Sequence, residues 1–237
     1  MKLLLLSNST NFGEPYLAYP KQAIKTFLGD IKNNIVFIPF ASVTFSWADY
    51  ASKVNEAFAE IDVSVTGIHT MEDPFKAISE AEAIMIGGGN SFQLLQLLYE
   101  YRLVEVIRKK VEDGTPYIGW SAGSNIACPT LKTTNDMPIV EPPSFKALDL
   151  VPFQINPHYT EAVIPGHNGE SRDLRLLEFI QTNKSIIAIG LPEGMIIQLK
   201  NEHYELVGEK PVKIFQHGKE PYFIYSSEEL NVILSKI

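Results

Sequence analysis

The chain has 237 residues, 45% of them hydrophobic and 20% charged, a profile that suits a soluble globular protein with a sizeable core and a single domain over residues 1–237. Its formal net charge of −8, with no basic run, argues against nucleic acid or an anionic membrane as partner, so an acidic ligand would need a local cation. The single cysteine, Cys128, excludes an internal disulfide and fits a reducing cytoplasm.

Met1-Lys2-Leu3-Leu4-Leu5-Leu6 is too short for a signal peptide or a membrane span and reads as a first buried strand, Leu3–Leu6. Similar apolar, β-branched runs recur at Ile35–Ile38, Val63–Ile68, Ala83–Ile86, Tyr117–Ile118 and Ile186–Leu191; their continuity suits strands covered on both faces. Helical spacing fills the intervals Trp47–Ile61, Ser91–Tyr99, Leu103–Val111 and Ser171–Ile180. The alternation predicts an α/β fold with a doubly wound, mostly parallel sheet. Met195–Leu199, Tyr204–Val207, Val212–Gln216 and Tyr222–Tyr225 read as a small antiparallel C-terminal extension, followed by a helix Ser227–Lys236 capped by Ser227.

The chemistry gathers at strand ends. Gly119-Trp120-Ser121-Ala122-Gly123 follows the Tyr117–Ile118 run as G-x-S-x-G, a nucleophile elbow in which glycines permit the sharp turn that lifts the Ser121 hydroxyl out of the sheet. Gly87-Gly88-Gly89-Asn90-Ser91 opens the next helix upstream. Its spacing matches neither dinucleotide nor P-loop patterns, and its better use is an oxyanion hole formed by the amides of Gly89 and Ala122. Of the five histidines, His158 stands where an apolar run meets Pro157, the strand-end position expected of a base. His167 lies among turn residues and could line a pocket. Two carboxylates could orient the base: Glu193, at the end of the last strong strand, and Asp136, in a polar loop. Spacing cannot rank them, though strand-end placement favours Glu193. Neither the histidines nor the lone cysteine has metal-ligand spacing, and no cofactor is implied.

These segments together closely resemble the peptidase E family of serine peptidases. The resemblance runs through Leu3-Leu4-Leu5-Leu6-Ser7-Asn8-Ser9-Thr10, Val36-Phe37-Ile38-Pro39-Phe40-Ala41, Gly87-Gly88-Gly89-Asn90-Ser91-Phe92-Gln93, Gly119-Trp120-Ser121-Ala122-Gly123, Thr133-Thr134-Asn135-Asp136-Met137-Pro138, Gln154-Ile155-Asn156-Pro157-His158, Gly166-His167-Asn168-Gly169-Glu170-Ser171-Arg172 and Gly190-Leu191-Pro192-Glu193-Gly194. It loosens after Met195. The resemblance implies hydrolysis of dipeptides with an N-terminal aspartate, on a fold similar to the glutaminase domains of class I amidotransferases. It also implies Ser121 as nucleophile and His158 as base, with either Asp136 or Glu193 as the acid. Pairing the aspartyl carboxylate then falls first to Arg172, whose guanidinium can grip a carboxylate bidentately, with Arg175 next and Asn90 and His167 as further substrate contacts. Two other readings stand beside this one: a cyanophycinase-like peptidase cutting β-linked aspartyl-arginine, and a catalytically silent module that binds an anion on the glycine loop.

Overall fold

The computed structural model describes residues 1–162, 166 and 168–236. Five strands, β1 (Leu3–Leu6), β2 (Ile35–Ile38), β3 (Val65–Gly67), β4 (Ala83–Ile86) and β5 (Tyr117–Trp120), pair in parallel in the order β3-β2-β4-β5-β1. On the free edge of β1 the sheet turns antiparallel with β8 (Ile196–Lys200) and β9 (His203–Val207). A second sheet, in the order β11-β10-β7-β6, is built from β6 (Gln154–Tyr159), β7 (Ala188–Pro192), β10 (Val212–Phe215) and β11 (Tyr222–Ile224); β6 and β7 run parallel and the other two antiparallel. The expected C-terminal extension is therefore divided: β8 and β9 widen the first sheet, and β10 and β11 close the second.

The four-leucine strand explains why two sheets are needed. Leu3 and Leu5 point to one face and Leu4 and Leu6 to the other, and all four are fully buried. On the Leu4 side lie the helices α1 (Lys21–Leu28) and α2 (Trp47–Phe58), which bring Ile24, Leu28, Tyr50, Val54 and Phe58. The Leu3 side meets α3 (Pro74–Glu80), α4 (Ser91–Glu100), α5 (Val104–Glu112) and α6 (Ala122–Ile126), together with the inner face of the second sheet through Ile155, Ile189 and Ile214. The outer face of the second sheet is covered by α7 (Arg172–Thr182), whose Leu176 and Ile180 pack with Tyr159 and Phe215. The last helix, α8 (Ser227–Leu234), returns Leu230 and Leu234 to the main core.

Several boundaries differ by a residue or two from the sequence reading, and three of them have a local cause. The Val63–Ile68 run contracts to β3, because residues 68–70 wind into a 3-10 turn. Helix α2 ends at Phe58, with a 3-10 turn over 59–61. The cap of α8 is Ser226 rather than Ser227: its hydroxyl accepts from the Glu229 amide while the Glu229 carboxylate accepts from the Ser226 amide, a reciprocal capping box.

Candidate active site

Ser121 sits between β5 and α6 with φ 53° and ψ −111°, a left-handed conformation that costs a residue with a side chain and persists only where its surroundings hold it. Its amide donates to Leu6 O on β1 (3.1 Å), and its carbonyl accepts from the amides of Ser124 (3.0 Å) and Asn125 (2.9 Å). The turn is too tight for side chains on either flank. A Cβ at Gly119 would lie 2.5 Å from Gly123 O, and one at Gly123 would collide with Ile86 O.

His158 reaches this serine from the second sheet. The β6–β7 register shifts between Asn156 and Tyr159, and within that irregularity His158 takes φ 53°. A bulge of this kind re-aims a side chain that regular pleating would send elsewhere. Ser7, at the end of β1, fixes the bulge from the first sheet: its Oγ accepts from the His158 amide (2.9 Å) and donates to Leu191 O (2.7 Å). The ring then lies with Nε2 2.8 Å from Ser121 Oγ and Nδ1 2.7 Å from Glu193 Oε1. An Nδ1–H donated to the carboxylate leaves the Nε2 lone pair facing the serine hydroxyl. Glu193 follows β7, and the turn that presents it is held by the Gly194 amide donating to Asn8 Oδ1 (2.8 Å) and by Lys210 Nζ donating to Glu193 O (2.8 Å). With the His158 side chain 39% and that of Glu193 47% exposed, the pair is open to solvent.

The remaining sequence candidates fall into three groups. Gly88 and Gly89 lie in the same cleft as Ser121 and His158, and a Cβ at Gly88 would stand 3.0 Å from the Ser121 Cβ, so the glycine loop passes directly beside Ser121. Ala122 directly follows Ser121 as the first residue of α6. Asp136 and Asn90 face the start of α4 instead. Asp136 Oδ2 accepts from the Ser91 amide (2.7 Å), Ser91 Oγ (2.6 Å) and Thr134 Oγ1 (3.0 Å), whereas the His158 Nδ1 partner is Glu193. The Asn90 side chain caps α4 by accepting from Phe92 and Gln93 and donates to Met137 O (2.8 Å). Arg172 donates to Asn135 Oδ1 and lines a small cavity of about 40 Å³ apart from Ser121. Burial, and then the neighbouring Arg175, lower its guanidinium pKa against the opposing pull of Asp136. His167 lies outside the described residues. Among the described residues no cluster of His, Cys, Asp and Glu could hold a metal, and no helix is long and apolar enough to cross a membrane.

A serine, a histidine and a carboxylate in hydrogen-bonded series beside a glycine loop form an arrangement competent for acyl transfer. Residues 3–207 match the profile of Peptidase family S51. The chain belongs to that family. It is 51% identical to Peptidase E from Nostoc sp. over 235 residues, covering 99% of this chain and 97% of that protein. To Peptidase E from Salmonella typhimurium it is 48% identical over 220 residues, covering 93% and 96%. The fold resembles the crystal structure of a peptidase from an acI-B1 actinobacterium, with a TM-score of 0.67, 18% identity, and 95% and 94% of the two chains covered. As a member of family S51 the protein is a peptidase of the serine dipeptidase type.

Sequence reasoning passed over Ser7 and Asn8, which hold the His158 and Glu193 backbones, and Lys53, which shares the Ser121 cleft. Ser7 and Asn8 stood at a strand end, where such a role could be sought. Lys53 on the polar face of α2 gave no signal.

Proposed function

We propose that this enzyme hydrolyses dipeptides with an N-terminal α-aspartate through an acyl-enzyme on Ser121. The observation that carries the chemistry is the continuous series Ser121 Oγ, His158 Nε2, His158 Nδ1 and Glu193 Oε1, with contacts of 2.8 and 2.7 Å. His158 accepts the hydroxyl proton as Ser121 attacks the scissile carbonyl, and Glu193 stabilises the imidazolium that results. The amides of Ala122 and Gly89 receive the oxyanion, a role supported by the closeness of the glycine loop to Ser121. The imidazolium then protonates the leaving amine. Water, deprotonated by the same ring, releases the aspartate and restores the serine.

The aspartyl preference rests on the family and on the need for a cation to pair a carboxylate that is leaving water. Arg172 was the first expectation for that cation, but its contact with Asn135, which also donates to Pro157 O (2.7 Å), suits it better to bracing the backbone before His158. Residues 1–237 act as one catalytic unit in this reading, since the nucleophile and its base come from different sheets. We read the parallel sheet with its elbow after β5 as akin to the glutaminase domains of class I amidotransferases. The buried, unpaired Cys128 suits a cytoplasmic setting.

The test is turnover on a panel of dipeptides: Asp-Leu, Asn-Leu, Glu-Leu, Ala-Leu, N-acetylated Asp-Leu and β-linked Asp-Arg. Preferential cleavage of free Asp-Leu is expected. Preference for β-Asp-Arg would refute the α-aspartyl reading in favour of a cyanophycinase-like one, and no cleavage of any peptide would refute both.

A further inference from the structure

The cleft that holds Ser121 has a volume of about 340 Å³, and apart from His158 the one ionisable side chain of basic character lining it is Lys53, on the exposed flank of α2. No Asp or Glu lines this cleft among the described residues. The Lys53 ammonium lies 4.3 Å from the centroid of the Tyr16 ring, a cation–π contact that steadies the long side chain against the cleft wall. No carboxylate of the described residues stands within 4.0 Å of it, so none of them pairs with its charge.

The neighbouring cavity, of about 520 Å³, meets the first at His158 and carries charges of both signs: Glu161 is paired with Lys213 Nζ (2.5 Å), and Glu193 and Lys210 also line it. The Lys53 cleft differs in presenting a cation with no carboxylate among its described lining residues, which favours an anionic side chain there. An acyl carbon attacked by Ser121 beside the glycine loop lies in the cleft that Lys53 lines, which puts Lys53 within the same cleft as the acyl residue. Arg172 lines a third cavity and is bonded to Asn135.

We propose that Lys53 is the specificity-determining residue that pairs with the β-carboxylate of the N-terminal aspartate. This rests on the aspartyl dipeptidase reading above. Met at position 53 preserves the aliphatic stem over Tyr16 and removes only the charge.

Binding without turnover isolates the role. Calorimetric titration of Asp-Leu and Asn-Leu into the Ser121→Ala protein is expected to give roughly 10- to 100-fold tighter binding of Asp-Leu, the range for a hydrogen bond to a charged group. Adding Lys53→Met should bring that ratio close to one with Asn-Leu affinity unchanged, and Lys53→Arg should restore most of it. C-terminally amidated Asp-Leu should keep the full dependence on Lys53. The proposal is overturned if the preference survives Lys53→Met, if Arg172→Met abolishes it instead, if the parent protein shows no preference, or if amidation removes the Lys53 dependence, which would assign the lysine to the peptide's C-terminus. Should Lys53→Met fail to fold, Lys53→Gln gives the same comparison. Wild-type turnover of Asp-Leu is measured in parallel: its absence refutes the functional reading, while the binding ratio still judges Lys53.

Discussion

His158 Nδ1 lies 2.7 Å from Glu193 Oε1, and the pair joins the ends of two adjacent parallel strands, β6 and β7, 35 positions apart in sequence. Asp136 is engaged elsewhere, at the start of α4. Glu193→Gln should therefore lower kcat by roughly 10²–10⁴-fold, by misorienting the ring and removing the charge that stabilises its imidazolium. Asp136→Asn should leave kcat within about tenfold and cost about 1–2 kcal/mol of stability, as expected for loss of a charged acceptor at a helix N-terminus. Steady-state kinetics with urea melts on both variants check this, and a larger kcat loss in Asp136→Asn would reverse the assignment.

Ser121→Ala should leave a folded protein whose kcat is reduced by about 10⁵–10⁶-fold. Each decade of rate is worth about 1.4 kcal/mol of barrier, so an indispensable nucleophile leaves no middle ground. Retention of a tenth of wild-type activity would exclude acyl-enzyme chemistry at this serine.

Gly123→Ala tests the elbow without touching a reacting atom. Its new methyl would meet Ile86 O, part of a buried strand backbone with no room to retreat. A loss of about 1–3 kcal/mol is expected, with a disproportionate fall in kcat as the Ser121 hydroxyl shifts from the ring. Unchanged kinetics would mean that the turn tolerates a side chain.

Stability should decline at alkaline pH. Tyr117 is wholly buried, its hydroxyl donating to Gly123 O (2.6 Å), and burial raises its pKa well above the ordinary 10.0. Burial raises Tyr50 as well, and its hydroxyl donates to Gly88 O (3.0 Å). The folded protein thus keeps protons that the unfolded chain releases near pH 10, so this contribution is complete below about pH 10 and is lost as pH rises beyond it. Urea midpoints from about pH 8 to about pH 11 should fall over the upper part of that range. A flat profile would contradict it.

Much of this architecture was legible because the signals are local. Continuous apolar runs announced β1, β2 and β4, and the glycines around Ser121 and before Asn90 marked turns that only glycine can make. Helix α1 escaped notice because no side chain caps it, and α3 because it has seven residues, although Asp73 and Pro74 form an ordinary helix start. That β6 and β7 leave the main sheet was not readable, since a run covered on both faces does not say which strand it pairs with. Nor could spacing rank Asp136 against Glu193. Their difference lies in contacts to Ser91 and His158, made across dozens of intervening residues.

The Ser7 hydroxyl bridges Leu191 O and the His158 amide, and so ties the end of β1 to both parallel strands of the second sheet. Ser121 and His158 belong to separate layers, so in the proposed mechanism catalysis would depend on how those layers are aligned. Local opening at the seam would then silence the enzyme while both sheets still hold their ladders. In rising denaturant, turnover should vanish ahead of the helical circular dichroism signal, and Ser7→Ala should widen the interval between the two curves.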